Sequence, residues 1–149
     1  MTNPKDASLT IPFEGDKRRL LQLLKKEALF REKITLSSGK VSDFYIDARR
    51  VTLSAEGAYL CGKIILGMLK DDVVDCIGGP SLGADPLVGA IGVLSFQAQK
   101  PINTFIIRKT PKPHGKQQQI EGPSLKSGLE VILIDDVATT GKALVESIE

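Results

Sequence analysis

The spacing of hydrophobic residues changes period several times along the chain, and each change marks an element. From Asp16, the residues Leu20, Leu21, Leu23, Leu24, Ala28 and Leu29 recur at helical spacing, while Lys17, Arg18, Arg19, Gln22, Lys25 and Lys26 occupy much of the other surface. This pattern predicts an amphipathic helix with Asp16 as its N-cap. Two short β-prone segments lie between Ile34 and Asp47 around Ser38-Gly39, the pattern of a hairpin-like excursion. A second helix enters at Ser54, a suitable cap, with Glu56 in its first turn; Leu60, Ile64, Ile65 and Met68 then share one face until about Lys70.

The remainder alternates strand and helix. Val73–Ile77 predicts a short strand running into the glycine-rich turn of residues 78–86, after which Leu87, Ala90, Ile91 and Leu94 continue as a helix. Ile102–Ile107 supplies the next strand, so the unit is a right-handed βαβ crossover in a parallel sheet. Residues 108–126 are polar and basic, broken by Pro111, Pro113, Gly115, Gly122 and Pro123, and predict an exposed, mobile loop. The aliphatic run Val131-Ile132-Leu133-Ile134 predicts a strand covered on both faces in the middle of the sheet, with a last helix from about Thr140. Residues 1–14, polar and containing Pro4 and Pro12, read as a mobile arm.

Composition narrows the class. A chain of 149 residues is most simply one domain, 1–149, and 42% hydrophobic with 26% charged residues excludes disorder throughout. A formal net charge of +2 provides no general field for nucleic acid or an anionic membrane, so any anion selectivity must be local. The first residues lack the basic-then-apolar pattern of a secretory signal and no apolar run approaches a membrane span; a soluble, cytoplasmic protein is expected. Cys61 and Cys76 form no Cys-x-x-Cys pair, and a single histidine leaves a zinc site short of ligands, so both are read as reduced structural cysteines.

Candidate chemistry concentrates where the aliphatic run ends. Asp135 and Asp136 would sit at the carboxyl end of a strand, the edge where open α/β sheets bind ligands. Adjacent carboxylates there can accept hydrogen bonds from two ribose hydroxyls; the competing reading is an acidic turn that only caps the next helix. Val137, Ala138, Thr139, Thr140, Gly141, Lys142 and Ala143 are small or flexible enough to close backbone N–H groups around a phosphate. This loop is not a Walker A motif, because Gly141-Lys142 is followed by Ala143 and no glycine stands upstream. Arg108, Lys109, Lys112, His114 and Lys116 form a second group, cations on a loop that complement a diphosphate, against the alternative of a merely solvated basic loop.

These motifs resemble a known family. The run Val131–Lys142 is similar to the phosphoribosyl pyrophosphate signature of type I phosphoribosyltransferases, and Arg108-Lys109-x-x-Lys112-x-His114-Gly115 resembles the catalytic loop of orotate phosphoribosyltransferases. The segment Ser38-Gly39-Lys40-Val41-Ser42 through Asp47 is similar to the family's base-pocket segment, and Gly79–Pro86 to the loop beneath the pyrophosphate.

The resemblance implies an α/β fold with a parallel central sheet flanked by helices and a small N-terminal hood. It implies transfer of ribose 5-phosphate from phosphoribosyl pyrophosphate to orotate, giving orotidine 5′-monophosphate, with Mg2+ held mainly through substrate and water and no direct protein ligand. It assigns catalytic roles to Lys112, His114, Asp135 and Asp136. Tyr45 and Ile46 would contact the base, and Lys40 a phosphate. Arg108 and Lys109 would act on the diphosphate, and residues 137–143 on the 5′-phosphate. The family works as a homodimer whose loop serves the neighbouring site. Its C-terminal strands, and an arginine for the orotate carboxylate, lie beyond the residues matched here. Two alternatives stand beside this reading: a phosphoribosyltransferase for another base, and a non-catalytic ligand-binding or regulatory relative.

Overall fold

The computed structural model describes residues 13–35, 39, 41–110 and 119–148. Helix α1 spans Phe13–Leu23 and starts before Asp16, so that residue is inside the helix and not its cap. Its carboxylate instead meets Lys63 of the next long helix, Oδ2 to Nζ 2.8 Å. Phe13 and Glu14, expected in a mobile arm, belong to the first turn of α1. A π-helical turn over Leu24–Ala28 ends the helix on the buried Ala28, and Leu29–Phe30 leave as strand β1. Leu29 keeps its helical spacing in the sequence but is drawn into a strand by its pairing with Ile46.

The hairpin-like excursion is present in part. Strand β2, Ile34–Thr35, pairs antiparallel with β3, Val41–Ser42. The chain then turns at Ser42, whose hydroxyl donates to the Phe44 carbonyl at 2.8 Å and accepts from the Phe44 N–H at 3.3 Å. Strand β4, Tyr45–Ile46, is thereby aimed back at β1 and not at β2, with Phe30 opposite Tyr45. These two small ribbons form the hood.

Helix α2, Arg49–Thr52, leads to Ser54, whose side chain accepts from the Gly57 N–H at 3.1 Å and caps α3, Ala55–Met68. That cap is the one the sequence predicts. Arg19 on α1 forks onto Glu56 in the first turn of α3, Nη2 to Oε2 2.9 Å, which fastens the two helices at their surface.

Strand β5 covers Cys76–Pro80, helix α4 Asp85–Gln97, β6 Asn103–Ile107, β7 Ile120–Glu121, β8 Val131–Leu133 and α5 Lys142–Glu146. The sheet order is β7-β6-β5-β8, with β5, β6 and β8 parallel and β7 antiparallel to β6. Three expectations need correction here. The β5 strand begins at Cys76 and takes in Gly78, Gly79 and Pro80, because a glycine is what lets the Phe105 ring lie across the strand at Gly78. Residues 108–126 are not all loop, since Ile120 and Glu121 pair with Ile107 and Ile106.

Third, β8 is the outer strand among those described, and Val131 is 41% exposed, so the run is not covered on both faces. An aliphatic run reports an apolar strand; how many neighbours it receives is set by topology. Helix α4 packs on β5 and β6, α3 packs on α4 and receives α2, and Val51, Ile77 and Ile91 are fully buried in these layers. Ser95 is buried with them and satisfied, donating to the Gly92 carbonyl and accepting from the Ile102 N–H. No helix among the described residues is long and apolar enough to cross a membrane.

Candidate active site

The carboxyl ends of β5 and β8 carry the site. Hydrogen bonds continue past both strands: the Ser81 N–H donates to the Ile107 carbonyl and the Ile134 N–H to the Gly78 carbonyl, each at 2.8 Å. The turn after β5 and the acidic pair after β8 therefore leave the sheet side by side. Gly83 of that turn sits directly against the pair; a Cβ there would overlap Asp135 Oδ1 and crowd Asp136 Oδ1. Similarly, a Cβ on Gly79 would overlap the Ile134 carbonyl. The glycines of this turn thus serve the close approach of two strand ends, a use that Gly residues permit for lack of a side chain.

A cleft of about 430 Å³ opens above these ends. Of the residues singled out from the sequence, Tyr45, Ile46, Lys109, Asp135, Asp136, Val137 and Ala143 line it. The hood supplies one wall and the acidic turn the other. Tyr45 both faces the cleft and packs near Phe30, ring centroids 6.4 Å apart, whereas Phe44 is more than half exposed.

The acidic pair is partly buried. Asp135 Oδ1 accepts from the Asp136 N–H at 2.9 Å. Burial, with the neighbouring Asp136 charge, pushes the Asp135 carboxyl above its ordinary value, against the opposing pull of that hydrogen bond and of Lys109. Among the described residues no group of three or more His, Cys, Asp or Glu side chains could hold a metal ion.

After the pair, the backbone N–H groups of Val137, Ala138 and Thr139 find no acceptor among the described residues, and the segment is exposed. Thr140 Oγ1 accepts from the Lys142 N–H at 3.3 Å, and Gly141 takes the left-handed conformation, φ 73°, that lets α5 start. Ala138, Thr139, Thr140, Gly141 and Lys142 do not line the cleft itself. The Lys142 amine lies along its own helix, 3.4 Å from Glu146.

Arg108 is also outside the cleft: it stands 3.7 Å from Glu121 and its Nε donates to the Thr110 carbonyl. Lys40, Lys112 and His114 fall outside the described residues.

The cleft also takes in Asp47, Ser81 and Leu82 of the segments already named, and two residues outside every motif, Ala48 and Arg49. Arg49 Nε lies 3.6 Å from Asp47 Oδ1 and 4.0 Å from Asp136 Oδ2. The available signal was the Asp47-x-Arg49 spacing directly after Tyr45-Ile46, opposite charges at the end of a strand that already carried a binding assignment.

A parallel sheet with an acidic pair at a strand end, a glycine turn beneath it and a hood above defines a type I phosphoribosyltransferase. The chain is 41% identical over 140 residues to the orotate phosphoribosyltransferase of Synechocystis sp., covering 94% of this chain and 70% of that protein. Of solved structures, it superposes on the Mycobacterium tuberculosis orotate phosphoribosyltransferase in complex with Fe(III) dicitrate with TM-score 0.74 and 34% identity, over 89% of this chain and 74% of that one. The same enzyme in complex with 5-phospho-α-D-ribosyl 1-diphosphate gives TM-score 0.69 and 31% identity, over 88% and 70%. No family model matches the chain. The chain belongs to the orotate phosphoribosyltransferases, pentosyltransferases of pyrimidine biosynthesis.

Proposed function

We propose that the family reaction, transfer of ribose 5-phosphate from phosphoribosyl pyrophosphate to orotate, takes place in the cleft between the hood and the ends of β5 and β8. The observation that carries this reading is the meeting of Tyr45 and Ile46 with Asp135 and Asp136 in one cleft. Asp135 and Asp136 accept hydrogen bonds from the ribose hydroxyls and offset positive charge as the bond to the leaving group breaks. The segment from Val137 to Ala143 takes the 5′-phosphate, through the unpaired N–H groups of Val137, Ala138 and Thr139 and the Thr139 and Thr140 hydroxyls, with Gly141, Lys142 and Ala143 closing the turn.

Tyr45 and Ile46 hold the orotate ring so that its N1 attacks the anomeric carbon. As that bond forms, the bond to pyrophosphate breaks, its electron pair leaves with the pyrophosphate, and the N1 proton is released to the departing pyrophosphate or to water. Lys109, which lines the cleft, and Arg108, Lys112 and His114 of the same basic segment stabilise the charge that develops there, and Lys40 contributes a phosphate contact. Arg108, now against Glu121, would exchange that partner for phosphate when the diphosphate binds.

Mg2+ fits a site of this kind. Two adjacent carboxylates, in a cleft where no three acidic side chains of the described residues gather into a cage, suit an ion that keeps its waters and substrate oxygens. Asp135 and Asp136 would face it through water, and it would neutralise the diphosphate. The working unit is read as one domain in a cytoplasmic homodimer, with the basic segment of one subunit serving the site of the other.

The test is titration of phosphoribosyl pyrophosphate into the protein with magnesium present, followed by an assay of orotate-dependent pyrophosphate release. Binding that disappears in Asp135→Asn/Asp136→Asn is expected. Release of pyrophosphate undiminished by that double substitution would remove the acidic pair from the reaction.

A further inference from the structure

Arg49 begins α2 immediately after the hood strand β4, yet its guanidinium reaches across the cleft towards the donor side. Nε is 3.6 Å from Asp47 Oδ1 in the hood and 4.0 Å from Asp136 Oδ2 after β8. Both separations exceed a hydrogen bond, and the guanidinium is half exposed, so each contact by itself is a weak, screened attraction. Their arrangement is more informative than their strength. Asp136 is only 14% exposed, has Asp135 as its neighbour in sequence and faces Asp47 across the guanidinium.

Three carboxylates thus share one wall-to-wall gap. Among the described residues the cations that line the cleft with them are Arg49 and Lys109, and the influence of Lys109 falls on Asp135. Asp47 Oδ1 is buried with no hydrogen-bond partner, so the hood carboxylate also depends on this guanidinium.

We propose that Arg49 is a positioning residue for the donor site: it bridges Asp47 and Asp136 and holds the Asp136 carboxylate in the orientation that receives the ribose. This rests on the reading that the acidic pair binds the ribose. A planar guanidinium with five donors can address two carboxylates together, which a lysine amine does less well. The bridge also ties the element that carries Tyr45 and Ile46 to the element that carries the acidic pair, so base and donor walls are held in one geometry.

The experiment is calorimetric titration of phosphoribosyl pyrophosphate, with magnesium present, into the wild type, Arg49→Gln, Arg49→Lys, Asp136→Asn and the Arg49→Gln/Asp136→Asn double variant. Arg49→Gln should weaken binding about two- to fivefold, the scale of a half-exposed ion pair. Arg49→Lys should recover part of that loss. The double variant should bind no more weakly than Asp136→Asn alone, because Arg49 acts through Asp136. Where Asp136→Asn weakens binding, wild-type affinity in Arg49→Gln overturns the assignment, and so does a fully additive loss in the double variant, which would make Arg49 a direct phosphate ligand.

A crystal structure of Arg49→Gln separates this claim from the reading it rests on. A displaced Asp136 carboxylate supports the bridge between Arg49 and Asp136, and an unmoved one overturns it. If Asp136→Asn leaves donor binding intact while the carboxylate does move in Arg49→Gln, the ribose assignment fails and the bridge stands.

Discussion

Gly83 and Asp135 come so close that a single methyl group on Gly83 would overlap the Asp135 carboxylate. The turn after β5 therefore acts as a floor for the acidic pair, and the absence of a side chain at one position fixes where two others can stand. Asp136 Oδ1 lies near the same point, so the floor supports both carboxylates.

Gly83→Ala should consequently disturb the site more than the fold. The carboxylates must rotate or the turn must move, since the obstacle is side-chain oxygen at a partly buried position. We expect affinity for phosphoribosyl pyrophosphate to fall at least about tenfold, with an overpacking loss of roughly 1–3 kcal/mol in stability. Calorimetric titration and denaturant unfolding measure the two effects separately. An alanine variant with unchanged affinity would show that the pair does not need this floor.

Asp135 gives a prediction with a defined sign. Its carboxyl is raised above the ordinary value, first by burial, so the folded state binds its proton more tightly than the unfolded chain does. This contribution to stability is present below the unfolded carboxylate value and is lost as pH rises through the raised folded value. Asp135→Asn removes the penalty of holding the ionised form. At neutral pH the variant should unfold at the same temperature as the wild type or a higher one, and the difference should shrink as pH is lowered into the ordinary carboxylate range. Donor binding should be lost at every pH. A variant less stable at pH 7 than at pH 4, relative to wild type, has the wrong sign for this account.

Gly78→Ala is expected to affect the fold more directly. The added Cβ would overlap the Phe105 ring, which crosses the central strand at a position buried on both sides. A destabilisation of roughly 1–3 kcal/mol or more should follow. Shrinking the ring in Gly78→Ala/Phe105→Leu should recover part of that loss, because the two changes share one space. Urea unfolding of the two variants decides it, and equal stability of the single and double variants would refute the shared-space argument.

Lys112→Ala tests the basic segment. Turnover should drop strongly while the unfolding midpoint stays within about 2 °C of wild type, as expected if the lysine serves the reaction and not the fold. If segments cross a dimer, mixing Lys112→Ala with Asp136→Ala should regenerate activity, since one hybrid site then holds both native residues. A mixture whose rate equals the sum of the two separate preparations counts against sharing between subunits.

Much of the site was legible in the sequence because its chemistry is local. Asp135 and Asp136 follow the aliphatic run without a gap, and the residues that let the chain turn, from Val137 to Gly141, follow them in turn. The Ser54 cap, the βαβ unit from Cys76 to Ile107 and the short final helix also depend on neighbours a few positions apart, and they occur close to where the pattern puts them. Asp16 differs for a related reason: an acidic residue near a helix start fits a cap by type alone, while its partner Lys63 is far along the chain.

What the sequence determined by itself is the apolar and polar grammar of each element and the order in which acidic, small and basic residues appear. The tertiary structure decided which elements meet. Only pairing of β4 with β1 brings Tyr45 and Ile46 over the acidic pair, and only the sheet order makes β8 an outer strand among the described residues despite its buried-looking composition. Arg49 beside Asp136 and Gly83 beneath Asp135 are contacts between residues more than 50 positions apart. Periodicity records how a residue relates to its own element, whereas a cleft is made where separate elements end together, and that is set by packing.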